Sequence, residues 1–121
     1  MDSSSSFTQE NALSFDVEHW HEAALLKQST CNPTDYIEDS VSKVLRILDR
    51  HEVKATFFIL GEVAKEHPEL VSTIQSEGHE LGSHGHVHES VSSFTPESFR
   101  ENLERSAEAI KDARSCGGDC W

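Results

Sequence analysis

At 121 residues, 36% of them hydrophobic and with a mean hydropathy of −0.52, the chain has material for one modest domain. No run approaches the roughly 20 apolar residues that span a bilayer. Its 22 acidic and 10 basic residues leave a net charge of −12, which argues against nucleic acid or an anionic membrane surface as partner. Three cysteines, Cys31, Cys116 and Cys120, have no framework spacing, so a disulfide scaffold is not expected.

Residues 1–11 are polar and Ser-rich and are expected to form a disordered lead-in. They contain no basic segment followed by an apolar stretch, so no signal peptide is expected, which points to the cytoplasm. From Ala12 the pattern changes. Leu13, Phe15 and Val17 alternate with Ser14, Asp16 and Glu18, so a strand here puts its apolar set on one face and both carboxylates on the other. Ile37, Val41, Val44, Leu45 and Leu48 then follow helical spacing, with Thr34 or Asp35 as the expected cap. ATFFIL at 55–60 is a continuous β-rich run, predicted to be a parallel strand buried on both faces.

Residues 62–77 read as helix interrupted at His67–Pro68, where Pro68 opens a second helix and Gly78 ends it. HELGS at 79–83 reads as a third strand. Thr95 and Pro96 suit the cap and first turn of a last helix, with Phe99, Leu103, Ala107 and Ile110 as its expected inner face. The tail SCGGDCW offers two soft ligands without a second pair, and 114–121 is read as an irregular terminus. The order β-α-β-α-β-α is that of crossovers in a parallel sheet or barrel, where working residues gather at the C-terminal ends of strands.

Chemistry-bearing residues fall at those ends. His84 and His88 are four apart, so one turn or tight loop can aim both at one ion, and a carboxylate at 16 or 18 can complete the set. The remaining carboxylate is then free to act as a base. The competing reading is a chance histidine pair among eight, solvated or binding metal without chemistry. His86, between the two, is expected in solvent or behind the ligands. His19 and His21 flank Trp20 and are placed along a substrate groove, with Trp20 stacking on a sugar face or, alternatively, anchoring the core. His51 and His67 are read as structural, and His79 has no assigned role. No G-x-S-x-G elbow, phosphate loop or dinucleotide fingerprint is present.

SFDVE at 14–18, ATFFILGEVAKEHPELV at 55–71 and EGHELGSHGHVH at 77–88 resemble the NodB-homology polysaccharide deacetylases, carbohydrate esterase family 4. Within that family the FDVE motif is similar to the branch found with exopolysaccharide and exosortase gene clusters. The resemblance runs over residues 12–113. It implies an α/β fold, part of a distorted (β/α) barrel of about three β-α units. It also implies a hydrolase acting on carbon–nitrogen bonds other than peptide bonds, removing N-acetyl groups from a polysaccharide or oligosaccharide.

The resemblance carries the general base onto Asp16 and the metal ligands onto Glu18, His84 and His88, with zinc as the expected divalent ion. Val17 stands where the family usually has its second acid, and Gly85 where it usually has Ser or Thr. The family's later motifs, an Arg-x-Pro segment and a general-acid histidine, are not found, so a truncated product that is weak or inactive alone is expected. Two alternatives accompany this reading: a non-catalytic metal- or glycan-binding remnant, and an amidohydrolase acting on a small cyclic amide. No specific protein partner is expected.

Overall fold

The computed structural model describes residues 9–19 and 36–115. Trp20, the three cysteines and the expected cap residues Thr34 and Asp35 lie outside them. So do residues 1–8 of the expected lead-in and 116–121 of the expected tail.

Strand β1 spans Ser14–Val17 and helix α1 Ile37–Arg50; strand β2 spans Thr56–Ile59. Helix α2 (Gly61–Glu66) and helix α3 (Pro68–Ser76) follow, then strand β3 (Glu80–Ser83) and helix α4 (Pro96–Arg114). The three strands pair in parallel in the order β1-β2-β3, with Asp16 beside Phe58 and Phe58 beside Gly82. No helix among the described residues is long and apolar enough to cross a membrane.

Local chemistry explains most boundaries. His67 ends α2, and Pro68 at the first position of α3 needs no N–H partner there. Gly78, just past α3, has φ +90, a conformation that glycine adopts without penalty. Thr95 caps α4 through a capping box with Ser98. Helix α1 differs from expectation: Tyr36 occupies its N-cap without a side-chain hydrogen bond.

The core lies between one face of the sheet and the helices. Val17, Phe57 and Ile59 are buried together with Ile37, Val41 and Leu45 of α1 and Leu70, Val71 and Ile74 of α3. Phe15 stacks on Phe57 with ring centroids 5.2 Å apart. The other face is open. Phe58, expected to be buried, is 36% exposed and lies across Gly82, where a Cβ would come within 2.6 Å of its ring. ATFFIL is therefore buried on one face only, because no helix among the described residues covers the side that carries Asp16.

Helix α4 is also rotated from the expected face. Its buried positions are Asn102, Ser106, Ala109, Ile110 and Ala113, while Leu103 is exposed. The physical reason is close approach. A Cβ on Gly61 would lie 2.9 Å from the Ser106 Cα, so α4 crosses the start of α2 with room only for small side chains.

Candidate metal centre

The alternation of β1 carries its acids to the open face. Asp16 lies in the last hydrogen-bonded stretch of the strand, and Glu18 follows one residue past it. The ladder extends beyond the strands, since Leu60 N donates to Val17 O and His84 N to Ile59 O. Glu18 and His84 are thus delivered by backbone hydrogen bonds on either side of β2.

The loop after β3 is pinned from three sides. Gly61 N donates to Gly85 O at 2.8 Å and Glu62 N to His86 O at 3.0 Å, so the loop's carbonyls cap the otherwise unpaired first N–H groups of α2. Asn102 Oδ1 accepts from His86 N at 3.1 Å and from Val87 N at 3.3 Å. Ser83 Oγ accepts from Gly85 N and pairs with Ser106 Oγ. Gly85 sits at φ +91, the left-handed region that lets the chain reverse between the two histidines.

His86 anchors this loop from behind the ligands, the buried one of the two positions expected for it. It is 3% exposed, and its Nδ1 packs against Gly61, which has no Cβ to exclude it. Burial holds its pKa below the ordinary histidine value, and Arg105 and Lys65 add to the shift. The neighbouring His84 and His88 therefore project from a rigid turn.

Their ring nitrogens converge on Glu18. His88 Nε2 lies 2.7 Å and His84 Nε2 3.4 Å from Glu18 Oε2, and all three atoms lie within 4.8 Å of one another. The two imidazoles meet edge to face with centroids 5.7 Å apart. Among the described residues, no hydrogen bond satisfies the buried atoms Glu18 Oε2 and His84 Nε2. Ligands of a tetrahedral zinc at about 2.05 Å lie about 3.3 Å apart, so these separations suit one small cation shared by all three. Two imidazoles and a carboxylate are a borderline donor set, also suited to zinc. Asp16 stands beside this group, its Oδ2 3.9 Å from His84 Nε2 and its side chain 57% exposed.

A polysaccharide deacetylase family profile matches residues 12–119. The chain belongs to the polysaccharide deacetylase family. A peptidoglycan-N-acetylglucosamine deacetylase of Bacillus cereus is 37% identical to it over 68 residues, 56% of this chain and 25% of the relative. A chitooligosaccharide deacetylase of Rhizobium leguminosarum bv. trifolii is 35% identical over 71 residues, 59% of this chain and 33% of the relative. Among solved structures, a peptidoglycan N-acetylglucosamine deacetylase in complex with 4-naphthalen-1-yl-N-oxidanyl-benzamide matches with a TM-score of 0.64 and 29% identity. That match covers 84% of this chain and 40% of the other. The chain spans about a quarter to a third of the length of these curated relatives. Its fold is the α/β arrangement of the family's barrel, present as a partial set of parallel strands and helices.

Of the residues singled out from sequence, the structure brings together Asp16, Glu18, His84 and His88. His19 is turned away from them and meets Glu66. Trp20 lies outside the described residues. Sequence reading missed Asn102, Ser106 and Gly61, which hold the loop in place. The signal is faint: Asn102 and Ser106 are small or polar residues at helical spacing where an apolar stripe is normally sought, and Gly61 is a lone glycine after a strand.

Proposed function

We propose that this chain carries the metal-holding part of a site that hydrolyses N-acetyl groups on a glycan. The observation that supports it is the convergence of Glu18 Oε2 and the Nε2 atoms of His84 and His88 beside a second, exposed carboxylate. Glu18, His84 and His88 would hold a divalent cation, with zinc favoured by the donor set. When bound, that ion polarises the acetamide carbonyl and makes water a better nucleophile. Asp16 acts as the general base, because it is open to substrate and stands next to the ligands without completing their set. The rigid turn built on His86 and Asn102 keeps the two imidazoles aimed before substrate arrives.

The substrate class follows from the family. Relatives named for peptidoglycan N-acetylglucosamine and for chitooligosaccharide support an N-acetylated glycan. Trp20 remains a candidate for stacking on a sugar ring, on sequence grounds alone. Zinc titration of the chain tests the centre: a binding event should disappear in a His84→Ala/His88→Ala double variant. Acetate release from chitooligosaccharide, expected to be weak from this chain, tests the chemistry, and it should vanish in Asp16→Asn. Zinc binding unchanged by the double variant would overturn the assignment.

A further inference from the structure

The alternation that turns Glu18 toward His84 and His88 turns His19 to the opposite side of the chain. There His19 Nε2 meets Glu66 Oε2 at 3.0 Å, and the same oxygen lies 3.9 Å from His67 Nε2. These three atoms lie within 4.8 Å of one another. The other nitrogen of His67, Nδ1, meets Glu38 Oε1 of α1 at 2.9 Å. A carboxylate on Nδ1 orients the ring so that its Nε2 side faces the cluster. Metal-bound imidazoles are oriented by carboxylates in this way. Both histidine side chains are only 13% exposed, whereas Glu66 is 57% exposed and leaves a route for an ion.

We propose that His19, Glu66 and His67 form a second divalent-cation site, structural in role and suited to zinc. The donor set repeats that of the first centre, two imidazoles and one carboxylate. Separations of 3.0 and 3.9 Å bracket the distance of about 3.3 Å between ligands of a tetrahedral zinc. The location gives the ion something to do. His19 follows β1 directly, Glu66 ends α2, and His67 joins α2 to α3. An ion here ties the end of β1 to the helix layer one residue away from Glu18. It would thereby hold Glu18 in place opposite His84 and His88.

Without an ion, the same residues form a polar chain from Glu38 through His67 and Glu66 to His19. The two accounts differ in stoichiometry. Equilibrium dialysis against micromolar zinc, followed by metal analysis, should give two zinc ions per wild-type chain. It should give one for His67→Ala and one for His84→Ala/His88→Ala. Glu66→Gln, at an exposed side chain, guards against misfolding and should weaken one site at least tenfold while circular dichroism stays unchanged.

A single zinc lost only in the His84/His88 variant, with His67→Ala and Glu66→Gln unaffected, would overturn the second site. A single zinc lost only in His67→Ala or Glu66→Gln would support the second site and overturn the first. The proposal therefore fails independently of the assignment of the first centre. Cobalt substitution adds a spectroscopic check, since the visible bands of a low-coordinate ion should halve in His67→Ala.

Discussion

The two faces of the sheet differ although they alternate along the same strands. On the helix side, Val17, Phe57 and Ile59 are sealed among apolar side chains of the helices. On the other side stand Ser14, Asp16, Thr56, Phe58 and Glu80, none of them buried, with Thr56 Oγ1 donating to Glu80 Oε2. Strand pairing joins the two, so any shift of one face moves the other. The difference teaches that the helix face carries the folding free energy, whereas the open face spends its positions on polar chemistry. Substitutions should separate accordingly.

The sharpest separation lies between adjacent phenylalanines. Phe57 is 1% exposed and Phe58 36%. Phe57→Ala should destabilise the chain by about 3–5 kcal/mol, the usual range for emptying a packed aromatic site. Phe58→Ala should cost well under half of that in the same denaturant titration. Equal losses would mean that the open face is packed in solution, and the comparison would fall.

Gly61 tests whether the helix side supports the metal centre. A Cβ there would press on the Ser106 backbone and on the His86 ring. Gly61→Ala should therefore destabilise by about 1–3 kcal/mol through overpacking. It should also weaken zinc binding at His84 and His88, since His86 belongs to their turn. Lost stability with unaltered zinc affinity would show that the turn's hydrogen bonds to Asn102, Ser83 and the start of α2 hold it without the close packing at Gly61.

Much of this architecture was legible in sequence because it rests on local rules. The alternation at 13–18 put Asp16 and Glu18 on one face, the four-residue spacing paired His84 with His88, and Pro68 and Thr95 marked helix starts. What was not legible depends on approach between distant segments. Helix α4 buries Asn102 and Ser106 instead of Leu103, because the crossing at Gly61 admits small side chains and because Asn102 satisfies two backbone N–H groups of the turn. The exposure of Phe58 reflects that no helix among the described residues covers it, which hydrophobicity cannot report. The cluster of His19, Glu66 and His67 joins residues 47 positions apart in sequence, and no motif spacing announces it.

A pH profile sharpens the account of the helix side. His79 is buried, packs edge-on against Phe57, and accepts a hydrogen bond from Ala55 N at Nδ1. Burial lowers its pKa, Lys54 lowers it further, and Glu77 opposes the shift weakly. The unfolded chain therefore takes up a proton near pH 6.5 that the folded chain refuses. Stability from this residue is fully present above that pH and falls as pH drops toward the lower folded value. The slope is at most about 1.4 kcal/mol per pH unit for one proton. His79→Asn, which keeps an acceptor for Ala55 N, should flatten the decline between pH 6.5 and 5 by up to that amount, measured by denaturation at each pH. An unchanged profile would assign the acid sensitivity to His86, whose pKa burial also lowers.

The smallest effect on stability is expected at Asp16, and its smallness is the point. Its side chain is 57% exposed, sits on the uncovered face, and approaches His84 no closer than 3.9 Å. At that distance it is not a hydrogen-bond partner that orients the imidazole. Asp16→Asn should thus change stability by less than about 0.5 kcal/mol, as for surface substitutions outside a network. A residue that oriented a ligand would instead weaken the metal about 10–100-fold when removed. Zinc affinity in Asp16→Asn should therefore stay within tenfold of wild type while acetate release is lost. Such a variant would separate the base from the ligand set on a single strand face. A large loss of zinc would place Asp16 among the ligands, and the division of labour between the two acids would have to be redrawn.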